Sequence, residues 1–281
     1  MIIVADSGST KTAWRACKGG AIVWACETYG LNPHTANDEQ IRHILQSLPA
    51  DGNDSVEQVF FYGAGCGSEA ARQRITVALQ QRFPAAVIAV HTDLIGACRA
   101  TVGDGSGLVG ILGTGSNVCH YLGGEIAYRP ASLGYVLGDE GSGVLIGKRL
   151  LCDYLRHRMP ADVATRFEAR FPQIGECYVS SIYDNHDSVR YMGSLASFAI
   201  DCQDNQYIEQ LLLCAFREYL QGPVEDTVRH QGIANRVLNM VGGAAMVFEQ
   251  TLRKAAAIER FEIAQIIGAP IDALVKYHTQ Q

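Results

Sequence analysis

Three glycine-rich turns punctuate the sequence, each at the end of a short apolar run: Asp6-Ser7-Gly8-Ser9-Thr10-Lys11-Thr12, Gly113-Thr114-Gly115-Ser116-Asn117 and Gly242-Gly243-Ala244. Glycine weakens helices and strands, so its placement at strand ends needs a cause, and the lack of a Cβ lets backbone N–H groups approach a ligand closely. Such N–H groups, with Ser and Thr hydroxyls beside them, suit phosphate oxygens. Lys11 adds a cation, and Asp6 at the strand end can orient a hydrated Mg²⁺, an ion that keeps several of its waters. Each turn taken singly also fits a structural role; three in one chain, with hydroxyls and an acid, favour phosphate chemistry. Two better-known phosphate motifs do not fit. Gly105-Ser106-Gly107-Leu108-Val109-Gly110 satisfies the dinucleotide spacing but enters a strand instead of joining a strand to a helix. Gly147-Lys148 lacks the upstream glycine of a P-loop and is followed by Arg149.

The runs that lead into these turns predict an α/β chain. Ile2 to Ala5, Ala21 to Cys26, Val59 to Tyr62 and Ala86 to Val90 are rich in β-branched or aromatic residues and bounded by turn residues, which predicts strands. Asn37 is placed to cap a helix carrying Ile41, Ile44, Leu45 and Leu48 and stopped by Pro49; a second helix fits Glu69 to Arg82 before Pro84. A second series begins at Leu108 to Leu112, continues through Val118 to Leu122 and Glu125 to Tyr128, and turns helical over Gly143 to Arg158, Ala161 to Phe171 and Gln206 to Leu220. Val237 to Val241 reads as a late strand, Ala245 to Ala257 as a helix, and Pro270 opens a terminal helix with Ile271, Leu274 and Val275.

The two series begin alike: an apolar strand reaches Ser7-Gly8-Ser9 or Thr114-Gly115-Ser116, a more polar strand follows, then a Gly-Gly turn (Gly19-Gly20; Gly123-Gly124) and another strand. This suggests two related domains, beside the simpler alternative of two ordinary hairpins with similar turn chemistry. The 281 residues agree with about two domains.

Composition narrows the partners. A net charge of −6, with no basic run, argues against nucleic acid. No apolar stretch approaches the roughly 20 residues of a membrane span, and Asp6 interrupts the opening apolar run before a signal-peptide core forms, so a cytoplasmic protein is expected. The nine cysteines are scattered without a C-x-x-C pair, and His91, His120 and His278 have no metal-ligand spacing.

The turn at 6 to 12, the G-T-G-S-N at 113 to 117, the G-D-E-G-S-G at 138 to 143, the late G-G-A and a final P-I-D-A-L-V-K-Y-H at 270 to 278 together resemble the BadF/BadG/BcrA/BcrD-type ATPase family. The likeness is greatest to its N-acetylglucosamine kinase-like members, within the actin, hexokinase and Hsp70 superfamily. The resemblance spans nearly the whole chain. It implies two ribonuclease H-like domains of the actin-like ATPase fold, residues 1–103 with 268–281 and residues 104–267, with the active site in the cleft between them and the terminal helix packed back on the first domain. It implies ATP held by Gly8, Ser9, Thr10, Lys11 and Thr12, by Gly113, Thr114 and Gly115, and by Gly242, Gly243 and Ala244 near the adenosine. Mg²⁺ would lie by Asp6, through water. Many similar chains carry an acidic residue where this one has Ala13.

Phosphoryl transfer to a sugar hydroxyl needs an aligned acceptor and a carboxylate to receive the hydroxyl proton. Asp93, between the strand Ala86 to Val90 and the small-residue helix Leu94 to Ala100, sits where the resemblance implies the catalytic base, though a helix N-cap is its bland alternative. For the amino-sugar acceptor the resemblance implies Asn32, Gly115, Ser116, Asn117, Asp139 and Glu140, against an Asx turn for Asn32 and helix capping for Asp139 or Glu140. Gly63-Ala64-Gly65-Cys66-Gly67 either borders that pocket or is a simple strand-to-helix turn. The expected activity is ATP-dependent phosphorylation of an amino sugar, foremost N-acetylglucosamine to its 6-phosphate. Two alternatives use the same fold: an ATPase activator of a radical dehydratase, and a non-catalytic sugar or nucleotide sensor. The resemblance is also compatible with a homodimer, with Tyr191 to Phe198 as its candidate interface.

Overall fold

The computed structural model describes residues 1–49, 56–172, 174–183 and 188–280. They form two compact units, residues 1–105 with 123–125 and 269–281, and residues 106–122 with 126–268. Gln281, the last residue of the expected first domain, lies outside the described residues.

In the first unit β1 (Ile2–Ser7), β2 (Lys11–Lys18) and β3 (Ala21–Tyr29) form an antiparallel meander, and β4 (Gln58–Gly63) and β5 (Val87–Thr92) extend it in parallel on the far side of β1. The resulting order is β3-β2-β1-β4-β5. Side chains alternate across a strand, so Ile3, Ala5, Val59 and Phe61 share one face with the buried residues of α1 (Asp38–Gln46) and α2 (Glu69–Arg82). Val4 and Tyr62 share the other face with the C-terminal helix Ile271–Thr279, and α3 (Asp93–Val102) packs there too through Ile95 and Ala100. Asn37 caps α1 in a reciprocal capping box with Gln40, as its position predicts.

Tyr62 fastens the C-terminal helix to this face. Arg99 donates to its hydroxyl at 2.8 Å, and that hydroxyl lies 2.6 Å from His278 Nε2. Burial, with Arg99 nearby, pushes His278 down to about 4, which favours the neutral ring. The imidazole also stacks on Phe60.

The second unit repeats the arrangement. β6 (Ser106–Leu112) takes the place of β1, β7 (Ser116–Leu122) and β8 (Glu125–Tyr128) follow it on one side, and β9 (Val237–Val241) and β10 (Glu262–Ile267) lie on the other, in the order β10-β9-β6-β7-β8. β6 pairs antiparallel with β7 and parallel with β9, as β1 does with β2 and β4. Matching topology favours related halves over two unrelated hairpins. Both Gly-Gly turns have positive φ at each glycine (57° and 81°; 53° and 97°), the backbone that a two-residue hairpin turn requires.

Between β8 and β9 the chain is helical: α4 (Gly134–Leu137), α5 (Gly143–Leu155), α6 (Ala161–Arg170), α7 (Ile174–Tyr183), α8 (Ser188–Leu195), α9 (Ser197–Ile200), α10 (Gln206–Tyr219), a widened turn at Leu220–Val224, and α11 (Glu225–Gln231). The apolar face of α10, from Ile208 to Tyr219, is buried as its periodicity predicts. The helix expected over Ala245 to Ala257 is instead two pieces, α12 (Gly243–Val247) and α13 (Glu249–Ile258), because Phe248 leaves helical geometry and buries its ring near Phe216. No helix among the described residues is long and apolar enough to cross a membrane.

Candidate active site

In the first unit the expected residues gather at the carboxyl ends of the parallel strands β1, β4 and β5, where α/β proteins place ligands. The β1–β2 turn is closed by Gly8 N–H on Lys11 C=O at 2.9 Å, leaving Gly8 and Ser9 exposed at its tip. Beneath it runs a buried proton chain: Leu31 N–H donates to Ser7 Oγ (3.0 Å), Ser7 Oγ lies 2.8 Å from Thr12 Oγ1, and Thr12 Oγ1 donates to Tyr29 C=O (3.1 Å). Thr12 has one hydroxyl proton and spends it on Tyr29, so Ser7 is the donor between the two hydroxyls. Thr12 is completely buried and holds the hairpin from below. Lys11 is paired with Glu27 across the β2–β3 ladder at 2.8 Å, both side chains largely exposed.

The segment carrying Asn32 is bound to this hairpin. Gly30 N–H donates to Thr10 C=O at 3.1 Å, and a Cβ on Gly30 would stand only 2.7 Å from the Ser9 carbonyl carbon. Asn32 Oδ1 accepts from His34 N–H at 2.9 Å, so the Asx turn weighed as the structural alternative for Asn32 is present, and this orientation leaves the amide NH₂ as its donor end. Gly65, at φ +82°, backs the same amide; a Cβ there would run into Asn32 Oδ1 and come within 2.9 Å of its Cγ. The Gly63–Gly67 segment thus borders Asn32.

Asp93 opens α3, but Thr92 caps that helix, accepting from Ile95 N–H at 3.2 Å. Asp93 shares in that end as well, its carboxylate accepting from Leu94 N–H at 2.9 Å, so the helix-capping alternative considered for it is present in part. Asp93 is half-buried and within electrostatic range of Asp6 and of the buried Cys66, whose thiol burial first and Asp93 second push up to about 12. Burial, then the Asp93 carboxylate, push Asp6 up to about 7, with Lys11 opposing. Two carboxylates at one strand edge resist ionising together. Among the described residues no group of three His, Cys, Asp or Glu side chains could hold a metal. Asp6 is a hard oxygen donor at the hairpin base, a ligand type that suits Mg²⁺ held through water.

In the second unit the Gly113–Asn117 turn is fixed on three sides. Gly143 and Val144, at the start of α5, donate their N–H groups to the carbonyls of Gly113 (2.9 Å) and Thr114 (3.1 Å). Gly242, at φ +120°, lies so close to Leu112 that a Cβ would collide with its carbonyl oxygen. The Asp139 carboxylate accepts from Ser116 N–H at 3.3 Å. Asp139 stands at φ +59°, a left-handed backbone uncommon outside glycine, and burial raises its pKa. Ser142 caps α5, so capping accounts for neither Asp139 nor Glu140. Asn117 turns Oδ1 back onto Val118 N–H at 2.9 Å, presenting its NH₂ group.

Neither the family models nor the curated proteins yield a match to the chain. Solved structures do. A Porphyromonas gingivalis protein described as a putative N-acetylglucosamine kinase superposes with a TM-score of 0.93 at 31% identity, covering 100% of this chain and 99% of its own. The chain belongs to the sugar kinases of the actin-like ATPase superfamily. A Chromobacterium violaceum protein, likewise described as a putative N-acetylglucosamine kinase, gives 0.70 at 18% identity, with 100% and 98% of the two chains covered. A ROK hexokinase from Thermus thermophilus gives 0.58 at 15%, with 99% and 97% covered. The last two share the fold, which is the two-unit α/β architecture expected from the sequence.

Two residues of this kinase fold that hold the site had no local signal, Ser7 as the buried hydroxyl and Glu27 on Lys11. Gly30, under the hairpin and beside Asn32, carried a hint, since an isolated glycine at a strand end marks a close approach.

Proposed function

We propose that the chain is an ATP-dependent amino-sugar kinase of the BadF/BadG-type family that phosphorylates N-acetylglucosamine on its 6-hydroxyl. The observation that carries the reading is the meeting, at one edge of the first sheet, of a hydroxyl-rich hairpin, the Asn32 loop and the coupled carboxylates Asp6 and Asp93. The 31% identity to a protein described as a putative N-acetylglucosamine kinase supports N-acetylglucosamine as the acceptor. Residues 1–103 with 268–281 and residues 104–267 would be its two ribonuclease H-like domains.

In this reading the tip Gly8–Lys11 and the turn Gly113–Gly115 supply donors to the phosphates of ATP, and Gly242–Ala244 backs the adenosine. Thr12 contributes by holding the hairpin. Asp93 accepts the proton of the sugar hydroxyl as its oxygen forms the new bond to the γ-phosphorus, while the bond from that phosphorus to the β–γ bridging oxygen breaks and ADP departs. The NH₂ groups of Asn32 and Asn117, the Gly115 N–H, the Ser116 hydroxyl, and the carboxylates of Asp139 and Glu140 select the acceptor by pairing with its hydroxyls. Mg²⁺, when bound beside Asp6 through water, offsets phosphate charge.

The test is to incubate purified protein with Mg-ATP and a panel of amino sugars and to read products by mass spectrometry. Phosphorylated N-acetylglucosamine is expected; a panel in which no sugar gains a phosphoryl group refutes the reading.

A further inference from the structure

Tyr219, the last residue of α10, reaches through the core of the second unit to a residue far from it in sequence. Its ring is completely buried, and its hydroxyl donates to Asn117 C=O at 2.8 Å. Three backbone features make room for it. Gly110 of β6 lies under the phenol, where a Cβ would collide with the hydroxyl oxygen. Gly141, at φ +73°, packs on the Tyr219 Cβ; a side chain there would stand 3.0 Å from it. Directly after Tyr219 the helix widens at Leu220–Val224, with Gly222 outside helical geometry ahead of Pro223. Irregular helical turns of this kind recur where a side chain must be aimed.

We propose that Tyr219 is a positioning residue for the acceptor site, setting Asn117 and the Gly138–Gly143 segment in register with each other. The proposal rests on the kinase reading above. Asn117 Oδ1 is fixed on Val118 N–H, so the placement of its NH₂ group follows the backbone, which is held by its pairing with Ile111 on β6 and by Tyr219. Gly141 is two residues from Asp139, whose carboxylate meets Ser116 N–H on the same turn. One residue therefore meets both stretches from which acceptor contacts come, its hydroxyl at Asn117 and its Cβ beside Gly141.

Tyr219→Phe keeps the ring and removes one proton donor. The KM for N-acetylglucosamine should rise about fivefold, the equivalent of about 1 kcal/mol for a buried hydrogen bond, with kcat and the KM for ATP unchanged. A role limited to core stability would lower the melting temperature and leave the acceptor KM alone, which overturns the proposal. Hydrogen exchange gives a readout independent of catalysis: amides of Ser116–Val118 should exchange faster in the variant while those of β9 keep their protection. An inert wild-type protein would overturn the kinase reading, and the exchange map then decides alone. Unchanged amides at Ser116–Val118 overturn the positioning role.

Discussion

Gly242→Ala places a single methyl group where the backbone leaves no space for it. At φ +120° and ψ +158° Gly242 occupies a region open essentially to glycine alone, and forcing alanine into it costs about 1–3 kcal/mol. The new Cβ would also strike the Leu112 carbonyl oxygen, lie 2.8 Å from the carbonyl carbon and 3.3 Å from Gly113 N, where ordinary contact begins near 3.4 Å. All three atoms are main chain, so no rotamer change relieves the overlap, and overpacking adds about 1–3 kcal/mol. The sum is about 2–6 kcal/mol, which for a unit of this size lowers the melting temperature by roughly 5–20 °C. Gly242 N–H is itself held by Ile267 C=O at 2.8 Å, so the turn cannot swing away freely and the strain passes to Leu112–Gly113. Differential scanning calorimetry with and without Mg-ATP reads both effects: a lower melting temperature, and a smaller upward shift on adding nucleotide. A variant that melts with the wild type and gains the same shift would refute the reasoning that this contact shapes the phosphate turn.

Other perturbations follow from the first unit. Asp6 holds its proton more tightly folded than unfolded, about 7 against 3.8, so its contribution to stability is present at low pH and is lost as pH rises through 7. Asp6→Asn, which stays neutral, should exceed the wild type in urea midpoint above pH 7, with the advantage shrinking towards pH 4; an advantage independent of pH would reject the assigned cause. Ser7→Ala leaves Leu31 N–H without its buried acceptor and should cost about 1–3 kcal/mol in urea unfolding, and a neutral result would break the proton chain argued for the hairpin.

Much of this architecture is legible in sequence where local chemistry repeats. The strands at Ile2, Val59, Leu108 and Val237 are β-branched runs ended by turn residues, and the topology shows why two stretches begin alike: β6 occupies the place of β1. Asn37 announces α1 because a cap acts within one turn. Elements whose stability comes from packing leave a weaker trace. β10, Glu-Ile-Ala-Gln-Ile-Ile, mixes polar and apolar residues without strict alternation and is a strand because β9 pairs with it. α7 and α8 do not stand out either; in α7 only Ile174 is buried, and α8 buries Met192 and Leu195. Phe248 splits one expected helix through its own backbone angles, φ −104° and ψ 26°, with its ring buried, and no residue pattern marks that break.

The candidate site divides along the same line. Glycine turns are visible because glycine has few other reasons to end a strand. The bonds that assemble the turns join residues far apart in sequence, Ser7 with Leu31 and Tyr219 with Asn117, and no local pattern encodes them. Asp139 is visible through its segment, but its bond to Ser116 and its left-handed backbone come from the fold.

The most direct test compares wild type and Asp93→Asn with Mg-ATP and N-acetylglucosamine, quantifying phosphorylated sugar over time by mass spectrometry. The wild type should convert the sugar, and the variant should do so about 10²–10⁴-fold more slowly, the range for removing a general base, while Mg-ATP still raises its melting temperature. Equal rates in the two proteins, or no phosphorylated sugar from the wild type, would contradict the account.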